Sequence, residues 1–221
     1  MYLQCVAIYS SNTFNTLEMF MTVEKKAPVL SEQEFRQVVA VARTHEQGNR
    51  NVALLYFSAA LGLRAKEMSL LKVQDVVAPN GTIKDEVLLS RSTTKGRKQR
   101  LVYLTNKELR KALTSYLRER TGNGMAALHP EAPLFKSRKG GPFTPNTMQM
   151  LFKRMYISAG LDQASSHSGR RTFATSLIEH GADIKAVSTL MGHASVAMTA
   201  RYVEDNPVRL RRLCENIQLG T

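Results

Sequence analysis

Cysteine is scarce in this sequence of 221 residues: Cys5 and Cys214 are the only two. They make neither a metal-ligand spacing nor a Cys-x-x-Cys pair, which predicts two free thiols in a reducing compartment. Long apolar runs are missing as well. Met1–Phe20 is fairly apolar, but it carries no early positive charge and no long unbroken hydrophobic stretch. Neither a signal peptide nor a membrane span is supported, and the expected location is the cytoplasm. There is no internal repeat and no low-complexity segment. Acidic residues are few: 18 Asp and Glu stand against 31 Lys and Arg, a net charge of +13. That balance suits a polyanionic partner, nucleic acid first. An anionic membrane surface would ask for a basic amphipathic helix or a polybasic run, and neither is evident.

What is present is pattern. Ser31 and Glu34 form a capping box behind Leu30, predicting a helix over about 32–43 with Leu30 stapled onto Phe35. An apolar helix over about 51–61 should stop at Gly62, and a short one over about 64–71 should place Arg64 at its N-terminus, where an anion is favoured. The period then changes. Residues 86–90 and 100–104 read as strands joined by a turn at Thr94-Lys-Gly-Arg-Lys98. Thr105 with Glu108 reads as a second capping box, for a helix to about Arg120 broken by Gly122 and Gly124. A small hairpin is expected around Arg138-Lys-Gly-Gly141, and Thr144-Pro145 opens a helix that ends near Gly160. Short helices finish the domain: about 168–180, one capped by Asp183 and ending at Gly192, and one capped by Ser195 that carries Tyr202 and stops before Pro207. The expected fold is mainly α with a small antiparallel β-sheet. Residues 1–28 form an N-terminal arm, 29–206 the main domain, and 207–221 an amphipathic tail helix able to dock in a groove.

Tyr202 is the most informative residue because of what lies upstream. Attack on a phosphodiester by tyrosine has definite needs. A phenol has a pKa of about 10, so it needs a nearby proton acceptor. The attacked phosphorus gains charge on its non-bridging oxygens, which guanidinium forks bind bidentately. The departing sugar oxygen needs a proton. Arg64 and Arg170 are the candidate forks, and His193 a hydrogen-bond donor to the same oxygens. His167 either accepts the phenol proton or positions the phosphate. Lys95, at the tip of the predicted hairpin, is the candidate acid for the leaving 5′ oxygen. Glu67, three residues after Arg64, is better placed as a buried support for the arginines than as a base.

Taken singly, each residue has a plainer account: a surface arginine, a hairpin lysine, a core histidine, a structural ion pair, a packed aromatic. His167, His180 and His193 lack a cysteine or carboxylate at ligand spacing, so no metal site is expected. Order, spacing and placement at helix edges set the group apart.

The ordered set Gly62-Leu-Arg-Ala-Lys-Glu67, Thr94-Lys-Gly-Arg-Lys-Gln-Arg100, His167-Ser-Gly-Arg-Arg-Thr-Phe-Ala-Thr175, Leu190-Met-Gly-His-Ala-Ser195 and Thr199-Ala-Arg-Tyr202 resembles the catalytic domain of tyrosine recombinases, the lambda-integrase-like strand-exchange enzymes. The resemblance spans about Leu30 to Pro207. It implies a site-specific recombinase or integrase, with Arg64, Lys95, His167, Arg170 and His193 activating the phosphate and Tyr202 as nucleophile. It implies a 3′-phosphotyrosyl intermediate, double-stranded DNA as partner, a homo-oligomer of four protomers on two duplexes, and no metal or cofactor. Many relatives have histidine where this chain has Arg171, which reads as tolerated variation. Most also carry a helical DNA-clamping domain before the catalytic one, where about thirty residues precede Leu30 here. A truncated integrase, an excised fragment and a compact single-domain recombinase are the three readings of that difference. The rival activities are a type IB topoisomerase and a non-catalytic DNA-binding protein that keeps the fold.

Overall fold

The structure is a computed structural model that describes residues 27–90, 99–122, 125–200, 202, 214 and 215. The turn with Lys95, Gly124, nearly all of the N-terminal arm, and the tail apart from Cys214 and Glu215 lie outside the described residues.

Local rules start the chain. Ser31 and Glu34 close the capping box of α1 (Glu32–Arg43), the Ser31 side chain accepting from the Glu34 N–H at 3.2 Å. The entering segment is tied down at long range, because the Leu30 N–H donates to Thr172 Oγ1 at 2.9 Å. Helix α2 (Gly48–Leu61) is buried on nearly every side, from Asn51 through Leu55 and on to Leu61. A helix apolar all round belongs at the centre of a domain. Accordingly α2 packs against α1, α5 and α7. It ends at Gly62, whose φ of 62° is the left-handed conformation that glycine adopts without strain.

Helix α3 (Ala65–Leu70) follows at once, with Arg64 at its N-cap, and α4 (Val73–Val76) is a further single turn that periodicity did not reveal. Strands β1 (Glu86–Leu89) and β2 (Arg100–Tyr103) pair antiparallel, Glu86 opposite Tyr103 and Leu89 opposite Arg100. Alternation sends Val87, Leu89, Arg100 and Val102 inward.

Helix α5 (Lys107–Thr121) starts one residue later than the Thr105 box predicts. Asn106 is the cap, and its side chain accepts from the Leu109 N–H at 2.9 Å, so the Thr105–Glu108 pairing is corrected to Asn106–Leu109. The expected hairpin near 138–141 contracts to one bridge, Lys136 opposite Pro142, closed by the Ser137 N–H donating to the Gly141 carbonyl at 2.7 Å. Thr144 and Pro145 open α6 (Pro145–Ser158) as their order predicts.

The last elements are α7 (Ser168–Glu179), α8 (Ile184–Met191) and α9 (Val196–Ala200). Helix α9 stops before Tyr202, which sits in the following turn with its N–H on the Thr199 carbonyl at 2.9 Å. Tyr202 was expected within that helix and instead follows it. The main core runs from α1 to α6. A second, small cluster of Ala174, Ile178, Val187 and Met191 joins α7 to α8, and Phe173 and Tyr202 pack on it. No helix of the described residues is long and apolar enough to cross a membrane. The mainly helical architecture with one small antiparallel sheet is the one expected.

Candidate active site

The C-terminus of α8 organises the site. The last carbonyls of a helix have no partner within it and carry the negative end of its dipole. Here three consecutive carbonyls each accept from a different arginine. Arg100 Nη1 donates to Leu190 O at 2.8 Å, Arg170 Nη2 donates to Met191 O, and Arg64 Nη2 reaches Gly192 O at 3.4 Å. Arg170 also donates through Nη1 to the Gly62 carbonyl at the end of α2. One helix end therefore gathers cations from α3, β2 and α7.

Glu67 ties two of them together. Its side chain is 0% exposed. One oxygen accepts from Arg64 Nη1 at 2.8 Å, and the other from Arg100 Nη2 at 2.6 Å and from the Arg64 backbone N–H at 2.7 Å. Burial pushes the Glu67 pKa up, but Arg100, the Arg64 N–H and the Arg64 charge more than reverse this, and the net shift is downward. The carboxyl is therefore a charged strut between two guanidiniums.

Arg64, Glu67, His167 and Arg170, with Gln149 and Ser166, line a cavity of about 300 Å³. Arg64 keeps 19% of its side chain exposed, and Arg170 is almost fully buried. Two guanidiniums converging on one small cavity suit an oxyanion with several oxygens. Burial first, then the neighbouring Arg64 and Arg100, lower the Arg170 pKa to about 9, which leaves it charged at neutral pH.

His193 directly follows the left-handed cap Gly192, whose φ is 60°. Its Nδ1 lies 2.8 Å from the Oγ1 of Thr199, a fully buried residue. The Tyr202 ring stacks on the imidazole, with centroids 5.7 Å apart and planes 10° apart. Burial, and after it Arg170, Arg64 and Arg100, lower the His193 pKa to about 4. The ring is neutral at pH 7, so it has one donor nitrogen and one acceptor. Of the residues singled out in the sequence, the structure gathers Arg64, Glu67, His167, Arg170, His193 and Tyr202 into one region; Lys95 lies outside the described residues. No group of three or more His, Cys, Asp or Glu among the described residues is arranged to hold a metal ion.

Residues 28–209 match the family model described as Phage integrase family, most of the chain. The chain belongs to the phage integrase family. It is 36% identical over 160 residues to tyrosine recombinase XerC of Nitrobacter winogradskyi, covering 72% of this chain and 46% of that protein. With XerC of Pelobacter propionicus it shares 30% identity over 206 residues, 91% of this chain and 63% of that protein. The chain thus spans about half to two thirds of the length of these relatives. Among solved structures it resembles the XerA recombinase, with a TM-score of 0.68 at 28% identity, covering 87% of this chain and 65% of that one. It also resembles XerH bound to its difH substrate before cleavage, with a TM-score of 0.63 at 25% identity, covering 86% and 55%. The expected family and fold are borne out.

Three residues of this candidate site stand in the matching sequence pieces but were given no role there. Arg100 read as a strand residue, yet it shares the inward face of β2 with Val102, and a charge on an apolar face was the signal. Arg171, read as tolerated variation, lies with its guanidinium carbon 5.9 Å from the Tyr202 ring centroid, over its face, and donates to the Ala27 carbonyl at 3.2 Å. Thr199 entered only as the first residue of the Thr199–Tyr202 piece, with no part assigned to its hydroxyl.

Gly192 is constrained twice. A Cβ there would lie 2.7 Å from Arg100 Cδ and 2.8 Å from its Nε, in a backbone conformation that L side chains resist. Gly192→Ala is expected to cost at least about 1–2 kcal/mol from the left-handed backbone alone. It should also push Arg100 off the Leu190 carbonyl. Urea denaturation against the wild type reads the combined cost.

Proposed function

We propose that this chain is a site-specific recombinase that cleaves and rejoins double-stranded DNA through a 3′-phosphotyrosyl link to Tyr202. The observation that carries the reading is the Tyr202 ring stacked on His193, which directly follows the Met191 and Gly192 carbonyls that hold Arg170 and Arg64. The net charge of +13 fits a polyanionic partner. In this reading the Tyr202 oxygen attacks phosphorus as the bond to the 5′ oxygen breaks. The phenol proton passes to an acceptor, for which His167 is the candidate, and the 5′ oxygen takes a proton from Lys95. Arg64, Arg170 and His193 hold the non-bridging oxygens while charge builds on them. Rejoining is the reverse attack by a 5′ hydroxyl from another strand, so bond energy is conserved and no cofactor is consumed. Four protomers on two duplexes, acting in the cytoplasm, complete the proposal.

The test is a nicked suicide duplex, chosen from a random pool by its binding, whose cleaved fragment diffuses away. A covalent protein–DNA adduct should accumulate, and protease digestion with mass spectrometry should map it to the Tyr202 peptide. Binding without any adduct would leave only a DNA-binding protein. Relaxation of a supercoiled plasmid lacking any selected site would point instead to a type IB topoisomerase.

A further inference from the structure

Thr199 is fully buried, and its hydroxyl makes one hydrogen bond among the described residues, to His193 Nδ1 at 2.8 Å. It makes no back-bond to the carbonyl one turn earlier in α9, the usual refuge of a helical threonine. A hydroxyl has one proton to donate. If His193 carried its proton on Nδ1 and donated to Thr199, the threonine proton would be buried with no acceptor among the described residues, an arrangement that native structures avoid. In the opposite arrangement every group is satisfied. The Thr199 hydroxyl donates, Nδ1 accepts, and the single imidazole proton sits on Nε2. That second nitrogen is engaged by no described residue and is not among the buried polar atoms lacking a partner.

We infer that Thr199 is a positioning residue that fixes the His193 tautomer, holding the proton on Nε2 so that this nitrogen is the donor to a phosphate oxygen. The inference rests on the proposed recombinase reading for its purpose, but not for the position of the proton. The surroundings keep the ring neutral: Arg64, Arg100 and Arg170 converge on the loop that carries His193. A neutral imidazole can donate from one nitrogen alone, so the identity of that nitrogen decides whether His193 can help at all. The placement also explains why a five-residue helix separates His193 from Tyr202: α9 supplies Thr199 to one ring nitrogen, and the turn after it returns Tyr202 to the face of the same ring.

The experiment is nitrogen-15 NMR of the histidine-labelled chain at pH 7, with single-turnover cleavage of the suicide duplex alongside. The wild type should show His193 protonated on Nε2 with an unprotonated Nδ1. Thr199→Val, nearly the same shape, should shift His193 toward a mixture of tautomers and slow cleavage about tenfold or more, with DNA affinity unchanged. Thr199→Ser should restore both signals. A wild-type spectrum with the proton on Nδ1 overturns the inference, as does a Thr199→Val protein whose tautomer is unmoved. The wild-type spectrum alone decides if Thr199→Val does not fold. Absence of any wild-type adduct sinks the recombinase reading, and the spectrum still settles where the proton lies.

Discussion

Arg170→Lys should slow strand cleavage by about a hundredfold or more, the typical cost of losing one preorganised donor to transition-state charge. Arg170 sits between the Gly62 and Met191 carbonyls and faces the cavity shared with Arg64 and His167. A guanidinium has five N–H donors in a rigid fork, so it can serve both carbonyls and still present donors to an oxyanion. An ammonium on a flexible stem cannot span that geometry. Its charge is also less secure. The burial and the neighbouring Arg64 and Arg100 that lower the Arg170 pKa to about 9 would act on a lysine too, and lysine starts about two units lower. The variant's residual cleavage should therefore fall as pH rises above neutrality, more steeply than the wild type's. One buried carbonyl would lose its partner, costing about 1–3 kcal/mol. Rates are to be measured well below the unfolding transition, with circular dichroism as the check on folding. DNA affinity should change little, because a buried guanidinium contributes a small part of a whole polyanion interface. A variant that cleaves within a few-fold of wild type would remove Arg170 from the chemistry.

Much of the architecture was legible because it obeys local rules. The Ser31 box, the Gly62 and Gly192 stops, the Thr144-Pro145 start and the Asp183 cap each depend on a few adjacent residues, and each stands where its chemistry requires. The two strands were readable from alternation. What escaped was decided by register or by distance. Thr105 and Asn106 can both cap a helix, and a single residue of register separates them. Helix α4 is one turn, too short to show a period. Arg100 matters because β2 lies against α8, a contact ninety residues apart in sequence. Arg171 and Thr199 matter because Tyr202 folds back toward α7 and α9. The motif residues could be named from the sequence, and Glu67 as a support for the arginines, but the parts of Arg100, Arg171 and Thr199 could not.

Glu67→Ala is expected to be the most destabilising single change at the site, costing about 3–5 kcal/mol, the usual result of removing one partner of a buried ion pair. Arg100 is 5% exposed and Arg64 19%, and both lean on this carboxylate. Its loss leaves Arg100 buried with the Leu190 carbonyl as its remaining partner among the described residues, and Arg100 Nε already has none. Urea denaturation measures the loss, and Glu67→Gln, which keeps the shape and can still accept hydrogen bonds, should lose less. The pH dependence has a definite sign. The folded Glu67 pKa lies below its ordinary value, so its contribution is complete above the ordinary carboxylate range and is lost as pH falls through the lowered folded value. His193 acts in the same direction over a higher window. Its folded pKa of about 4 lies below the ordinary 6.5, so unfolding takes up a proton between those values and stability declines as pH drops through them. Wild-type stability should therefore begin to fall below about pH 6.5 and fall faster in the carboxylate range. The Glu67→Ala protein should keep the first slope and lose much of the second. A variant with wild-type stability and an unchanged acid profile would mean that Arg64 and Arg100 hold their places at the α8 terminus without the carboxylate between them.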